Sequence, residues 1–330
     1  MSNSNSNTLE SEQQTPANQT YIDGFGRPVD YLRVSLTQRC NHFCFFCHHE
    51  GESHPKSEMT LTEIEKIVVH ATRHGVRRLK LTGGEPLLRE DILDIVRMVS
   101  PLVEDLSMTT NGTLLEDKAL DLKRAGLSRV NISLHSLKED TYHRITGTNN
   151  LETVKRGIKR AVEVGLSPVK LNMTVLHGFN ESEIMDMMEF AAETGCILQL
   201  IELQHMPNDD SERRELWFNL DSIEDEIGKR AIRTDQSHIH RRKQYVVKMN
   251  NGCEVKIEVV RPMHNSMFCE GCTRLRVTSD GKLKPCLLRS DNLVEILFED
   301  GVHSNKGSLE LAFKEAVKNR EPYWRDEHIG

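Results

Sequence analysis

From residue 31 the chain alternates short apolar runs with longer stretches in which apolar positions recur every three or four residues. YLRVSLT (31–37), RRLKLTGG (77–84), DLSMTTNG (105–112), RVNISLHS (129–136), VKLNMTVLHG (169–178) and CILQLIELQ (196–204) have the length and residue types of strands. Between them, 60–75, 89–100, 116–125, 151–164 and 181–194 read as helices. The first is capped by Thr60 or Thr62 and stopped by Gly75. Strands alternating with helices of this length imply right-handed parallel βαβ units. Six such strands are two fewer than a closed eightfold barrel needs, so the pattern predicts an α/β fold, a partial, open (β/α)6 TIM-like barrel.

After about residue 235 the rhythm stops. HIHRRKQYVVKM (238–249), CEVKIEVVRP (253–262) and LRVTSDGKLKPCL (275–287) read as shorter strands, the last turning at Ser-Asp-Gly, with a helix near 308–319. The expected division is a disordered polar tail over 1–20, the barrel over 21–235, and a smaller C-terminal α+β region over 236–330.

Composition narrows the chemistry. The chain has 330 residues, 37% hydrophobic and 28% charged, ordinary for a soluble globular protein. A net charge of −7 argues against nucleic-acid binding over the whole surface, so an anionic substrate must meet a local basic cluster. No apolar run is long enough for a bilayer and no export pattern opens the sequence, which points to the cytoplasm and to no membrane partner. Thiols stay reduced there, so the eight cysteines read as metal ligands or core residues rather than disulfides.

Three cysteines, Cys40, Cys44 and Cys47, follow the first strand, at the end of the barrel where such folds place their chemistry. Three thiolates suit a four-iron cluster with one iron open to an exogenous ligand. A zinc site completed by His48 or His49 is the other reading. Cys269, Cys272 and Cys286 form a second set of three, open to a zinc ribbon using His264 or to a structural iron–sulfur cluster. Gly83 and Gly84 let backbone approach a ligand closely, and Glu85-Pro86 fixes the turn. Arg274 and Arg276 alternate along a strand and so share one face, suited to phosphate oxygens or a purine edge.

Cys-x3-Cys-x2-Cys after a first strand, with GGEP ending the second, resembles the radical S-adenosylmethionine superfamily. The second triad and the CTRLR segment narrow the likeness to the MoaA family, the GTP 3′,8-cyclases of molybdenum cofactor biosynthesis, from about residue 24 to 320. The resemblance implies two [4Fe-4S] clusters, held by Cys40, Cys44, Cys47 and by Cys269, Cys272, Cys286. It implies S-adenosyl-L-methionine beside Phe46, Gly84, Ser133 and Gln204. It places GTP on Arg33, Lys80, Thr109, Lys170, Arg274, Leu275 and Arg276, with Arg274 and Arg276 given the catalytic part. The implied partners are a flavodoxin- or ferredoxin-like electron donor and a downstream cyclic pyranopterin monophosphate synthase, and the likeness is compatible with a homodimer.

The sequence departs from the family at Gln199 and Gln204, where arginine and methionine are usual, and it ends EHIG, with Gly330 alone in place of Gly-Gly. A twin-cluster radical enzyme acting on peptides and a zinc scaffold without catalysis are the other functional readings. Cys196 and Cys253 read as thiols outside the clusters, and Trp217 and Trp324 as packing residues. The basic stretch His238, His240, Arg241, Arg242 and Lys243 reads as a solvated strand edge.

Overall fold

A computed structural model describes residues 20–52, 57–205, 211–236, 243–263, 265–296 and 306–324. The expected tail up to residue 19, His238 to Arg242, His264 and the terminal Gly330 lie outside the described residues.

Six strands arrive in the expected order: β1 (Tyr31–Ser35), β2 (Arg78–Thr82), β3 (Asp105–Thr110), β4 (Arg129–Ser133), β5 (Lys170–Val175) and β6 (Ile197–Glu202). Each pairs in parallel with the next. Their interiors are almost continuously buried, as parallel strands covered on both faces must be. The helices α1 (Leu61–Arg73), α2 (Ile92–Val99) and α3 (Leu115–Arg124) follow β1, β2 and β3. Thr60 and Glu63 close a reciprocal cap on α1, so the polar signal before that helix is a true N-terminus.

Sequence periodicity missed α4 (Glu139–Thr146), an eight-residue helix that buries only Tyr142, Ile145 and Thr146. Then come α5 (Leu151–Glu163) and α6 (Ile184–Thr194), which match the expected helices within three residues. Two more helices that the reading did not anticipate are α7 (Ser211–Glu215) and α8 (Asp221–Arg230).

The later strands are β7 (Ala231–Gln236), β8 (Lys243–Lys248), β9 (Glu254–Val260), β10 (Arg274–Val277) and β11 (Leu283–Lys284). They continue the same sheet. The order is β11-β10-β1-β2-β3-β4-β5-β6-β9-β8-β7. β9 runs parallel to β6 at one edge, and β10 runs parallel to β1 at the other. The short helix α9 (Ser266–Glu270) carries the chain between them, and α10 (Lys306–Lys318) closes the described fold. The partial barrel therefore has eight parallel strands, six in sequence order and two supplied late. The Thr278–Lys282 hairpin turns as predicted, with Gly281 at φ 88°.

Candidate active site

The loop after β1 is held by the turn after β2. Gly84 N–H donates to Thr37 O (2.7 Å) and Glu85 N–H to Arg39 O (2.8 Å). A Cβ on Gly83 would lie 2.4 Å from Thr37 O, and one on Gly84 would lie 2.3 Å from Arg39 O. Only glycine allows this approach. The buried Glu85 carboxylate accepts from Asn111 N–H (2.6 Å), Leu87 N–H (3.0 Å) and the Thr110 hydroxyl (2.8 Å). Burial pushes Glu85 up to about 7, against those three donors. Asn111 Nδ2 in turn donates to Asn41 (2.6 Å), beside Cys40.

Cys40, Cys44 and Cys47 all line one cavity of about 390 Å³, within the range of small-molecule sites. Backbone N–H groups of His42 and His49 point at the sulfurs of Cys40 and Cys47, each at 3.4 Å. Burial pushes the Cys44 thiol up to about 12, with Cys47 and Cys40 adding to it. Beside the loop, Phe46 meets His135 edge-on with centroids 4.9 Å apart. Gly84, Ser133 and Gln204 line the same space.

Cations stand abreast across three strands. Arg276 on β10 is paired in register with Arg33 on β1, and Arg33 with Lys80 on β2. Equivalent positions on neighbouring strands share a face, and here that face is the cavity wall. Glu50, just after the cysteine loop, accepts from Arg33 (2.8 Å), Arg276 (3.0 Å) and the Thr82 hydroxyl (2.7 Å). Burial alone would raise this carboxyl, but Arg33 and Arg276 hold it at about 2. Burial together with Arg33 brings Arg276 down to about 10. Arg33 Nε is buried with no hydrogen-bond partner among the described residues. Burial sets the Lys80 ammonium well below its ordinary value, and the cations Arg129, Arg33 and Lys170 add to the shift.

Lys80 Nζ donates to Asn131 (2.9 Å), whose amide donates to Gln199 (2.9 Å). Gln199 donates to Glu258, and Lys170 pairs with that same carboxylate at 2.6 Å. Gln199 thus belongs to a buried hydrogen-bonded chain along the cavity. Thr109, paired in register with Asn131, also lines the cavity. Leu275 does not: its side chain is fully buried in the hydrophobic core, on the opposite face from Arg274 and Arg276. Any contact it makes with a ligand is through its backbone.

The second triad lines the same cavity. Cys269 lies within α9, one residue before its end, Cys272 precedes β10, and Cys286 follows β11. Arg274 lies over the Phe268 ring at 5.4 Å. Burial would raise the Cys272 thiol, but Arg274, Arg320 and Arg27 hold it below its ordinary range. Trp324, expected to be a packing residue, lines the cavity, and its backbone N–H points at Cys269 Sγ (3.4 Å). Cys196 is buried and Cys253 exposed, both away from the cavity.

Residues 34–191 match the radical SAM superfamily, and 196–325 match Molybdenum Cofactor Synthesis C. A probable GTP 3′,8-cyclase of Thermococcus kodakarensis is 53% identical, over 92% of this chain and 99% of its own length. One from Pyrococcus horikoshii is 48% identical, over 92% and 98%. The chain belongs to the GTP 3′,8-cyclase family. In fold it is similar to Streptococcus suis SuiB bound to S-adenosylmethionine, with TM-score 0.58 at 16% identity, covering 79% of this chain and 61% of that one. It is likewise similar to anSMEcpe with bound AdoMet, with TM-score 0.59 at 15% identity, covering 79% and 74%.

Membership of the radical SAM superfamily carries with it a four-iron, four-sulfur cluster and S-adenosylmethionine. The first triad fits that cluster as a donor set: three unbridged thiols in one loop, close enough to perturb one another and supplied with N–H donors. The second triad has the same make-up: burial raises the Cys286 thiol, and Cys272 and Cys269 add to the shift. Among the described residues no three His, Cys, Asp or Glu side chains close around a metal-sized point, so the fit rests on donor identity and proximity. No helix among them is long and apolar enough to cross a membrane.

Sequence reading missed Glu50, Asn131, Glu258, Asp23, Arg27 and Arg320. A lone acid in a loop carries no periodic signal. Arg27, in the Gly26-Arg27-Pro28 turn before β1, likewise stands outside any periodic pattern.

Proposed function

We propose that the chain converts GTP to (8S)-3′,8-cyclo-7,8-dihydroguanosine 5′-triphosphate, the first step of molybdenum cofactor biosynthesis. The observation that carries this reading is the row Arg276, Arg33, Lys80 facing a cavity that both cysteine triads share. A protein of net charge −7 that sets three cations abreast has built a local anion site. Arg33 Nε, buried and without a hydrogen-bond partner among the described residues, leaves one donor of this row unsatisfied, which supports the same reading.

In this reading Cys40, Cys44 and Cys47 hold one cluster, and Cys269, Cys272 and Cys286 hold a second. When bound, the first cluster and S-adenosylmethionine supply a one-electron reductive cleavage that yields a carbon radical able to take the 3′ hydrogen of GTP. The chain's own part is placement. Phe46 and His135 form an aromatic wall for the adenine, while Ser133, Gly84 and Gln204 complete the cosubstrate's pocket. Arg33, Arg276 and Lys80 neutralise the triphosphate, with Lys170 and Thr109 beside them. Arg274, stacked on Phe268, orients the nucleotide at the second triad. Seating both ligands fixes the ribose against the radical source and keeps water out of the space between them. A flavodoxin- or ferredoxin-like donor supplies two electrons per turnover, one for the reductive cleavage and one that, with a proton, completes the 7,8-dihydro product, and a synthase that forms cyclic pyranopterin monophosphate takes that product.

The test is a pair of cysteine series under anaerobic reduction. Replacing Cys40, Cys44 or Cys47 by Ala should abolish 5′-deoxyadenosine formation. Replacing Cys269, Cys272 or Cys286 should halve the iron content and stop cyclised nucleotide from appearing. Stoichiometric zinc at the second triad, or undiminished cyclisation without it, would refute the assignment.

A further inference from the structure

Three charged side chains that the substrate reading leaves unused meet at the second cysteine loop. Asp23 and Arg27 come from the turn before β1, and Arg320 comes from just beyond α10. Arg27 Nε donates to Asp23 Oδ2 (2.8 Å), and its Nη1 donates to the backbone carbonyl of Cys269 (2.8 Å). Arg320 Nη1 lies 3.2 Å from the same Asp23 oxygen and donates to Arg27 O (3.1 Å). Its Nη2 donates to the carbonyl of Cys272 (2.6 Å). The side chains of Asp23, Arg27 and Arg320 are 0%, 8% and 1% exposed.

Two guanidinium groups share one carboxylate, so the trio carries one excess positive charge out of water. Buried charge persists only where an opposite charge completes it. The nearby thiols of Cys269, Cys272 and Cys286 supply that charge once they bind metal as thiolates. A fixed cation beside an iron–sulfur centre favours its more negative, reduced form, because net charge and hydrogen bonding near the sulfurs set its potential.

Resting on the reading that this triad binds a cluster, we infer that Asp23, Arg27 and Arg320 are a positioning clamp. The clamp fixes the carbonyls of the Cys269–Cys272 loop and raises the reduction potential of the centre held there. Arg320 reaches the loop only with α10 seated, so docking of the C-terminal helix completes the second site.

The test uses the full chain with Cys40, Cys44 and Cys47 replaced by Ala, reconstituted anaerobically with iron and sulfide so that only the second centre reports. Iron content and an EPR-monitored redox titration are measured for this parent and for the same chain carrying Arg320→Gln, Asp23→Asn or Arg320→Lys. Arg320→Gln removes the excess positive charge and should shift the midpoint to more negative potential. Asp23→Asn adds one and should shift it the opposite way. Arg320→Lys should stay nearer the parent than Arg320→Gln does. Opposite signs are the signature, since loosened packing has no reason to move the two variants apart. Iron held normally with no shift, or with shifts of the same sign, overturns the clamp. A parent that binds no iron overturns the second-cluster reading itself. If one variant does not fold by circular dichroism, the sign of the other decides. If neither folds, the trio is a structural brace and the redox role is refuted.

Discussion

Arg33 and Arg276 occupy paired positions on adjacent parallel strands, joined by the single carboxylate of Glu50 at 2.8 and 3.0 Å. Like charges directly opposite one another destabilise a sheet, and Glu50 offsets that cost. The same carboxylate sits where the proposed triphosphate would bind. Glu50→Gln is therefore expected to lower the melting temperature while tightening GTP binding several-fold. Arg276→Ala should cut cyclisation about ten- to hundredfold, the worth of a charge-assisted contact of about 1.5–3 kcal/mol, with both clusters retained. Equilibrium nucleotide binding, anaerobic product assay and iron content check these outcomes. Unchanged affinity in Glu50→Gln would mean that the triphosphate lies elsewhere.

The turn after β2 makes a second prediction. A Cβ at position 84 would meet backbone atoms of Arg39 at 2.3 and 2.7 Å, and backbone cannot swing aside as a side chain can. Gly84→Ala should displace the segment leading into Cys40 and reduce iron at the first site, leaving the second site loaded. Full iron with normal cleavage of S-adenosylmethionine would show that the close approach is dispensable.

Both cysteine triads, the GGEP turn and the Arg274/Arg276 alternation were legible because each is a local pattern with its own chemical meaning. The six βα units were legible for the same reason, through hydrophobic spacing. What the sequence concealed was register. That Arg276 lies beside Arg33, or that Glu258 on β9 reaches Lys170 on β5, follows from which strand docks on which edge. The segments forming β9 and β10 read as strands of a separate small region, because nothing in a short strand names its partner. The helix α4 escaped because its eight residues offer only two buried hydrophobic side chains, Tyr142 and Ile145, too few for a period.

Lys170 and Glu258 are buried and paired at 2.6 Å. Removing one partner of a buried pair leaves an uncompensated charge, at a cost of about 3–5 kcal/mol. Lys170→Met should therefore lower stability steeply, and Lys170→Met with Glu258→Gln should recover most of the loss. Urea denaturation of both variants gives the answer. Gln199 and Gln244 also donate to Glu258, and equal stability of the single and double variants would mean that its partners other than Lys170 satisfy it.

His135 predicts a pH effect. Its Nδ1 accepts the Thr174 N–H at 3.2 Å, which fixes the neutral ring with the proton on Nε2. Burial, with His42 adding to it, brings the imidazole down to about 3. Between the ordinary histidine value of about 6.5 and that level, the unfolded chain binds a proton that the native chain does not. Stability is then lost as pH falls through this window, by about 1.4 kcal/mol per pH unit for this group. His135→Asn keeps an acceptor for Thr174 and should flatten the slope between pH 6 and 4 by about one proton. A stability difference from wild type that is the same at every pH would rule this out.

The placing of β9 and β10 at opposite edges of the sheet has a consequence for how the protein comes into being. While the chain is being made, β1 through β6 emerge first, and both outer strands then show unpaired N–H and C=O groups to the cell. The first cysteine loop is also incomplete at that moment. Glu52 holds Ser279, and Lys284 holds the carbonyl of Gly51 at 2.9 Å, contacts that exist only when the last third of the chain has arrived. A nascent chain halted before residue 254 should thus be a sticky, sedimenting species that takes up iron poorly even though it contains Cys40, Cys44 and Cys47. Iron uptake by Cys40, Cys44 and Cys47 is then expected only after residues 279–284 have docked, so both triads should become competent late in synthesis.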